Sequence, residues 1–273
     1  MSRVPDPMIE MFVRFTHLDK EYSYLPGMSA SAMASLLGVS DEVYQQERAR
    51  LDALALGAAE ELLTDDGFAA LVARLPFADG QTVVALGDSI TDDLCGWFVI
   101  LRHLLEIRGD APKMVNLAQA AYTSAMGLRR SAAQLTYLRP EWVFCMLGSA
   151  DMSTVNGSLQ TSLAETERQL LAIRSLGGDA RWVWLSPPPV DEERVRAFEP
   201  FARGLAAWAN KDLTALGGRI HAFPDPAVDV QAVYGVPPNP EYLGPDGVHP
   251  TLAGQQATAR AVVERLSEVE RLP

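Results

Sequence analysis

The sequence predicts an α/β fold: a doubly wound, mostly five-stranded parallel sheet flanked by helices, with a helical extension in front of it. Two observations lead there. From about Gln81 onward, short apolar runs alternate with longer amphipathic segments, a pattern that requires right-handed strand–helix–strand crossovers. Before about Phe77 the chain holds helical patterns and no strand pattern. The expected organisation is therefore residues 1–76 as the extension and residues 77–273 as the α/β domain.

In the extension, Ser31–Leu37, Asp41–Leu63 and Gly67–Leu75 read as helices. Ser40 and Asp65 or Asp66 stand where a side-chain oxygen can accept from the free N–H groups of a first turn. The role of these helices stays open between a lid over a site, a packing element and an arm for homo-oligomerisation. Strands are expected at Thr82–Leu86, Lys113–Leu117, Trp142–Leu147, Trp182–Leu185 and Arg219–Phe223. Helices are expected to follow them at about Asp92–Arg108, Thr123–Leu138, Leu159–Leu176, Glu192–Leu216 and Leu252–Leu272. Gly109, Gly177-Gly178 and Gly217-Gly218 fall where these helices should stop. Thr251 is placed to cap the last one, because Pro250 disfavours helix at His249. Pro187-Pro188-Pro189 and the Pro/Gly-rich stretch Tyr234–Pro250 mark long loops at strand ends, where functional residues concentrate.

With 273 residues, 48% of them hydrophobic, the chain has material for a sizeable core. A net charge of −12 argues against nucleic acid or an anionic membrane as partner, since both need a basic face. Met1 to Asp19 mixes charges and prolines through its apolar residues, unlike a signal peptide, and no run is long enough to span a bilayer. A cytoplasmic location is the default expectation. Cys95 and Cys145 are expected as two buried thiols rather than a disulfide.

Two short blocks carry the chemistry. Gly87-Asp88-Ser89-Ile90 ends the first strand and opens a helix, which directs free N–H groups towards any oxyanion formed there. Asp246-Gly247-Val248-His249 precedes the last helix. A serine hydroxyl is a poor nucleophile until a base takes its proton, and that base needs a third group to orient it. An acid three positions before a histidine, on a tight turn, can hold Nδ1–H and leave Nε2 facing the serine. In an open parallel sheet both blocks reach the edge where ligands bind.

The pattern differs from the Gly-x-Ser-x-Gly elbow, because position 91 is Thr. Gly87-Asp88-Ser89-Ile90-Thr91 and Asp246-Gly247-Val248-His249-Pro250 instead resemble the first and last blocks of the SGNH (GDSL-type) esterase and lipase superfamily, from about Val83 onward. The resemblance implies a flavodoxin-like three-layer sandwich, with Ser89 as nucleophile, His249 as general base and Asp246 as its orienting acid. It implies an oxyanion hole from the backbone N–H groups of Ser89 and Ala121, where Ala121 stands at the family's glycine. The family's Gly-x-Asn-Asp block reads Gly148-Ser149-Ala150-Asp151 here, so the asparagine donor is replaced by Ala150. Ser149, Ser153 and Asn156 are the neighbours that would substitute for it.

The function expected is a serine esterase or acyl hydrolase acting on a small-molecule ester of a lipid, carbohydrate or other alcohol. An acyltransferase using the same three residues, and a catalytically impaired binding protein, are the alternatives. No cofactor is required. His17, His103 and His221 lack metal-ligand spacing, Asp92, Asp93 and Asp110 form no ligand cluster, and no glycine-rich phosphate loop follows Gly87. Pocket walls are expected from Tyr122–Arg130, Ser186–Glu192 and Tyr234–Pro245, with Trp97 and Met126 as apolar candidates.

Overall fold

Alternate residues along each central strand bury against different helices, and this divides the protein into layers. The computed structural model describes residues 7–109 and 112–269. Five parallel strands, β1 (Thr82–Gly87), β2 (Lys113–Asn116), β3 (Trp142–Met146), β6 (Arg181–Leu185) and β8 (Ala227–Val228), lie in the order β2-β1-β3-β6-β8. Val83, Ala85, Phe144 and Val183 face one core, shared with α7 (Trp97–Arg108) and α14 (Leu252–Val269). Val84, Leu86, Val143 and Trp182 face the other, shared with α8 (Ser124–Leu138), α9 (Leu163–Leu176) and α12 (Asn210–His221). This is the expected doubly wound sheet.

The helices ahead of β1 are α1 (Pro7–Phe15), α2 (Leu18–Glu21), α3 (Ala30–Leu36), α4 (Asp41–Leu62) and α5 (Asp66–Val72). Ser40 and Asp65 cap α4 and α5 as expected. They have no core of their own: Met33, Tyr44, Leu51 and Phe68 belong to the same buried cluster as Val83 and Phe144. The sequence reading had placed no element where α1 and α2 lie.

The structure corrects five further expectations. The fifth strand is Ala227–Val228, while Arg219 to His221 belong to α12. Leu213, Leu216 and Ile220 bury at helical spacing there, and Gly217 sits inside the helix, where a Cβ would come within 3.2 Å of the Gln231 amide. Gly217 therefore serves close packing, and neither it nor Gly218 ends the helix. The expected helix Glu192–Leu216 is split into α10 (Glu192–Ala197), α11 (Glu199–Arg203), β7 (Ala206–Trp208) and α12. Pro200 starts α11, Gly204 ends it and Leu205 turns the chain with φ +52°. The expected helix Asp92–Arg108 is present as α7 but begins only at Trp97; a single separate turn, α6 (Ser89–Asp92), precedes it, with 93–96 between them. Ahead of α9, β4 (Ser153–Val155) and β5 (Ser158–Leu159) form a small antiparallel sheet with β7, and Ser162 delays the helix by capping it.

The remaining short helix, α13 (Val230–Tyr234), follows β8. Thr251 Oγ1 accepts from Gly254 N–H at 3.2 Å at the start of α14, whose expected end at Leu272 lies outside the described residues. Cys95 and Cys145 are free and buried. Among the described residues no helix is long and apolar enough to cross a membrane, and no group of three or more His, Cys, Asp or Glu is placed to hold a metal ion. Asp110 lies outside the described residues.

Candidate active site

Strand order reverses between β1 and β3, and the chain leaves β1 there into the turn that carries Ser89. Gly87 pairs in register with Met146, which sets Asp88-Ser89 beside the turn 147–151. A side chain at Gly87 would come within 2.5 Å of Thr91, so only glycine allows so tight an exit. Asp88 Oδ1 accepts from Ile90 N–H at 3.0 Å and caps α6. One turn of helix is unstable alone, with all of its terminal groups unpaired. Neighbours supply the partners: Asn116 Nδ2 donates to Thr91 O at 2.7 Å, and Gln255 Nε2 donates to Ile90 O at 2.9 Å. Ser89 thus sits on a turn held by β2 and α14.

The second block is a compact turn. Gly247 has φ +74°, and a Cβ there would meet Asp191 O at 2.6 Å. Asp246 Oδ1 accepts from the N–H groups of Val248 and His249, each at 2.9 Å. Its Oδ2 lies 2.6 Å from His249 Nδ1, and His249 Nε2 lies 2.8 Å from Ser89 Oγ, across 160 positions of sequence. The carboxylate selects the tautomer: a proton on Nδ1 donates to Asp246, leaving Nε2 to accept from the serine hydroxyl. Burial pushes the Asp246 carboxyl up, but its bonds from the imidazole and two backbone N–H groups outweigh this and hold it below its ordinary value. Such a chain of groups can remove a proton from a hydroxyl as it attacks an electrophilic carbon.

Two loops border the serine. Ala118 N–H donates to Asn116 Oδ1, Gln119 N–H to Gly87 O and Ala120 N–H to Asp92 Oδ2, at 3.0, 3.2 and 3.1 Å, which ties the segment before Ala121 to the Ser89 turn. Ala121 has φ +63°, a left-handed conformation that costs a non-glycine residue roughly 1 kcal/mol. The position of the family's glycine is thus a strained one for the alanine that occupies it. Ala150 also lines the site, and its carbonyl accepts from Ser153 Oγ at 2.8 Å and Gln160 Nε2 at 3.2 Å. Asp151, fully buried, accepts from Ser124 N–H at 2.8 Å and Ser124 Oγ at 2.5 Å. Asn156, on the other hand, does not border the site.

Asp88 lies beneath the serine with almost no access to water. Burial, with some repulsion from Asp151, pushes its carboxyl from 3.8 to about 7 against the opposing Ile90 N–H and His249. The folded protein therefore holds a proton that the unfolded chain has already released between about pH 4 and pH 7. Stability from this group is full below about pH 4 and is lost as pH rises to about 7, by up to about 1.4 kcal/mol per pH unit. Asp88→Asn keeps the acceptor for Ile90 and removes the titration. Its melting temperature relative to the parent should rise from about pH 4 to pH 7 and level off above that; a difference constant across this range would show that Asp88 does not carry this proton.

Ser89 and His249 open onto a cleft of about 510 Å³. None of the three expected wall segments, Tyr122–Arg130, Ser186–Glu192 or Tyr234–Pro245, lines it. Trp97 is fully buried core and Met126 is exposed elsewhere. The walls come instead from Met11, Phe12, Phe15 and Thr16 of the N-terminal segment, from Phe198, Pro200 and Phe201 around α11, and from Ala206 and Trp208 of β7. No local pattern marks these residues, because they meet only through tertiary packing. His17 lies against Asp92, His103 against Asp52 and Glu106, and His221 against Asp229, so each imidazole faces a carboxylate and none lines the cleft.

The geometry has counterparts. The sequence profile of the GDSL-like lipase/acylhydrolase family matches residues 85–257. A search of curated protein sequences finds no match. Among solved structures, a lipase/acylhydrolase from Enterococcus faecalis is similar at 19% identity and a TM-score of 0.56, over 69% of this chain and 96% of that one. A GDSL-like lipase from Bacteroides thetaiotaomicron is similar at 22% identity and 0.55, over 69% and 89%. An acetyl xylan esterase from Geobacillus stearothermophilus is similar at 19% identity and 0.55, over 70% and 96%. At these identities the likeness speaks for the fold.

Proposed function

The chain belongs to the GDSL-like lipase/acylhydrolase family, a family of ester-cleaving hydrolases, and from that premise we propose that it works through an acyl-enzyme on Ser89. The observation that carries this reading is the unbroken relay from Asp246 to His249 to Ser89, at 2.6 and 2.8 Å. His249 Nε2 takes the Ser89 proton as Oγ attacks the ester carbonyl carbon. Asp246 steadies the imidazolium that results. The carbonyl oxygen, now an oxyanion, is stabilised by the backbone N–H groups of Ser89 and Ala121. As the C–O bond breaks, the alcohol leaves with the proton from His249. Water then gives its proton to the same nitrogen and attacks the acyl carbon; as the bond to Ser89 Oγ breaks, His249 returns that proton to Oγ and the acid departs. Every step uses groups of this chain, a small ester and water. Ala150 leaves the oxyanion hole without the side-chain amide expected at that position.

A fluorophosphonate probe tests the reading directly. It should attach to Ser89, as identified by mass spectrometry of the labelled peptide. Folded protein that takes up no label at residue 89 would remove Ser89 as nucleophile.

A further inference from the structure

One wall of the cleft lies outside residues 85–257, the stretch that matches the family. It is α1, and its sequence, Pro-Met-Ile-Glu-Met-Phe-Val-Arg-Phe, is apolar on two sides. Ile9 and Val13, four apart, pack into the core, and Val13 is fully buried. Met8, Met11, Phe12 and Phe15 fall on another side at helical spacing, leaving Met11 46% and Phe12 39% exposed. Met11, Phe12 and Phe15 line the cleft, and Phe15 packs on the His249 ring with centroids 4.7 Å apart. The same cleft is lined by Phe201, whose ring stacks against those of Phe198 and Trp208, each at 5.0 Å.

The helix is clamped to the catalytic turns. Arg14 Nε and Nη2 donate to the two oxygens of buried Asp93 at 2.7 and 2.6 Å, and Nη2 also donates to Pro250 O at 3.2 Å. Asp93 follows the turn that carries Ser89, and Pro250 follows His249. Buried His17 lies 2.9 Å from Asp92 Oδ1, and Lys20 reaches the same oxygen. A charged fork bonded at both oxygens of a buried partner is geometrically specific. The clamp makes α1 a fixed wall and not a loose flap.

We propose that α1 is a built-in wall of the substrate site, and that Met11, Phe12 and Phe15 seat an apolar chain of the ester. The proposal rests on the reading of Ser89 as nucleophile, and it names the substrate class of that site. A cleft of about 510 Å³ falls within the roughly 300–1,000 Å³ usual for small-molecule sites. Each methylene buried there strengthens binding about fourfold. The chain belongs either to the acyl group or to the alcohol, and both present the same hydrocarbon to the wall.

The test compares long and short chains in the wild type and in Phe12→Ala and Met11→Ala, whose side chains are exposed enough to be cut without opening the core. p-Nitrophenyl octanoate against p-nitrophenyl acetate places the chain on the acyl side; octyl acetate against ethyl acetate places it on the alcohol side. The wild type should favour the long chain in one series. Phe12→Ala should cut that long-to-short ratio of kcat/KM about tenfold, with Met11→Ala changing it in the same direction. Ratios unchanged in both series would overturn the wall. A second measurement is independent of chemistry: calorimetric titration of octanol and octanoate into Ser89→Ala and into Ser89→Ala carrying Phe12→Ala. Binding weakened about tenfold by the second substitution supports the wall even if no ester is cleaved, in which case only the hydrolase reading fails. Equal binding by the two proteins, or none by either, overturns it.

Discussion

Ser89→Ala is expected to lower kcat on a p-nitrophenyl ester by about 10⁴–10⁶-fold, with the fold retained. The size follows from the geometry. The hydroxyl is the group that His249 faces at 2.8 Å, and the Asp246 bond to Nδ1 serves only to present Nε2 to that oxygen. Removing Oγ leaves the imidazole oriented with nothing to deprotonate except water. The fold should survive, because α6 is held by the Asp88 cap and by Asn116 and Gln255, none of which uses the serine side chain. His249→Ala should cost a similar factor. The double variant should be little worse than either single one, since the groups act as a unit. Stopped assays and melting curves on the three proteins decide this. Losses that simply multiply would mean that the two residues work independently and that the relay is not a catalytic unit.

Ala150→Asn is expected to raise kcat/KM on a generic ester, by up to about 10²–10³-fold, the cost usually measured when one oxyanion donor is removed. Position 150 borders the cleft with Ser89, and its backbone is fixed by bonds to the carbonyl from Ser153 and Gln160. An amide added there would join a site whose Ser89 and Ala121 backbone groups lie on the other two bordering segments. Gln160 Nε2 also donates to Ser153 Oγ at 2.7 Å, so these polar neighbours are occupied with each other. Steady-state kinetics on parent and variant, with melting temperatures as control, provide the comparison. A normally folded variant with no gain would show that Ser149, Ser153 or Gln160 already serves the oxyanion.

Much of the fold could be read before any coordinates, and the misses have physical causes. Four of five strands were legible because each carries a short apolar run bounded by turn residues: β1 and β3 are buried almost throughout, β6 after its first residue, and β2 at the sheet edge is only half-buried but keeps Met114 and Val115 at its centre. The fifth was not, because Ala227–Val228 is two residues long and pairs only with Trp184 and Leu185 at the sheet edge. Arg219–Phe223 resembled a strand because Ile220 near the end of α12 and Phe223 just beyond it both bury in the core. The hydrogen-bonded row of Asp246, His249 and Ser89 was legible for a different reason. Asp246 and His249 are bound by a local turn, and the strand-to-helix exit fixes where Ser89 stands.

The order of apolar runs, the two blocks around Ser89 and His249 and the alanine at position 150 are properties of the chain written out, because each depends on neighbours within a few residues. The walls of the cleft are not. Arg14 looks like a solvent-facing charge until Asp93, 79 positions away, is seen beneath it, and Phe12 and Phe15 look like ordinary helix residues until α11 and β7 are seen lining the same cleft. Short-range bonding is encoded by adjacency and so can be read from the letters. The shape of the space a substrate enters arises from surfaces that meet only when distant segments bury one another, and that was decided by the tertiary structure alone.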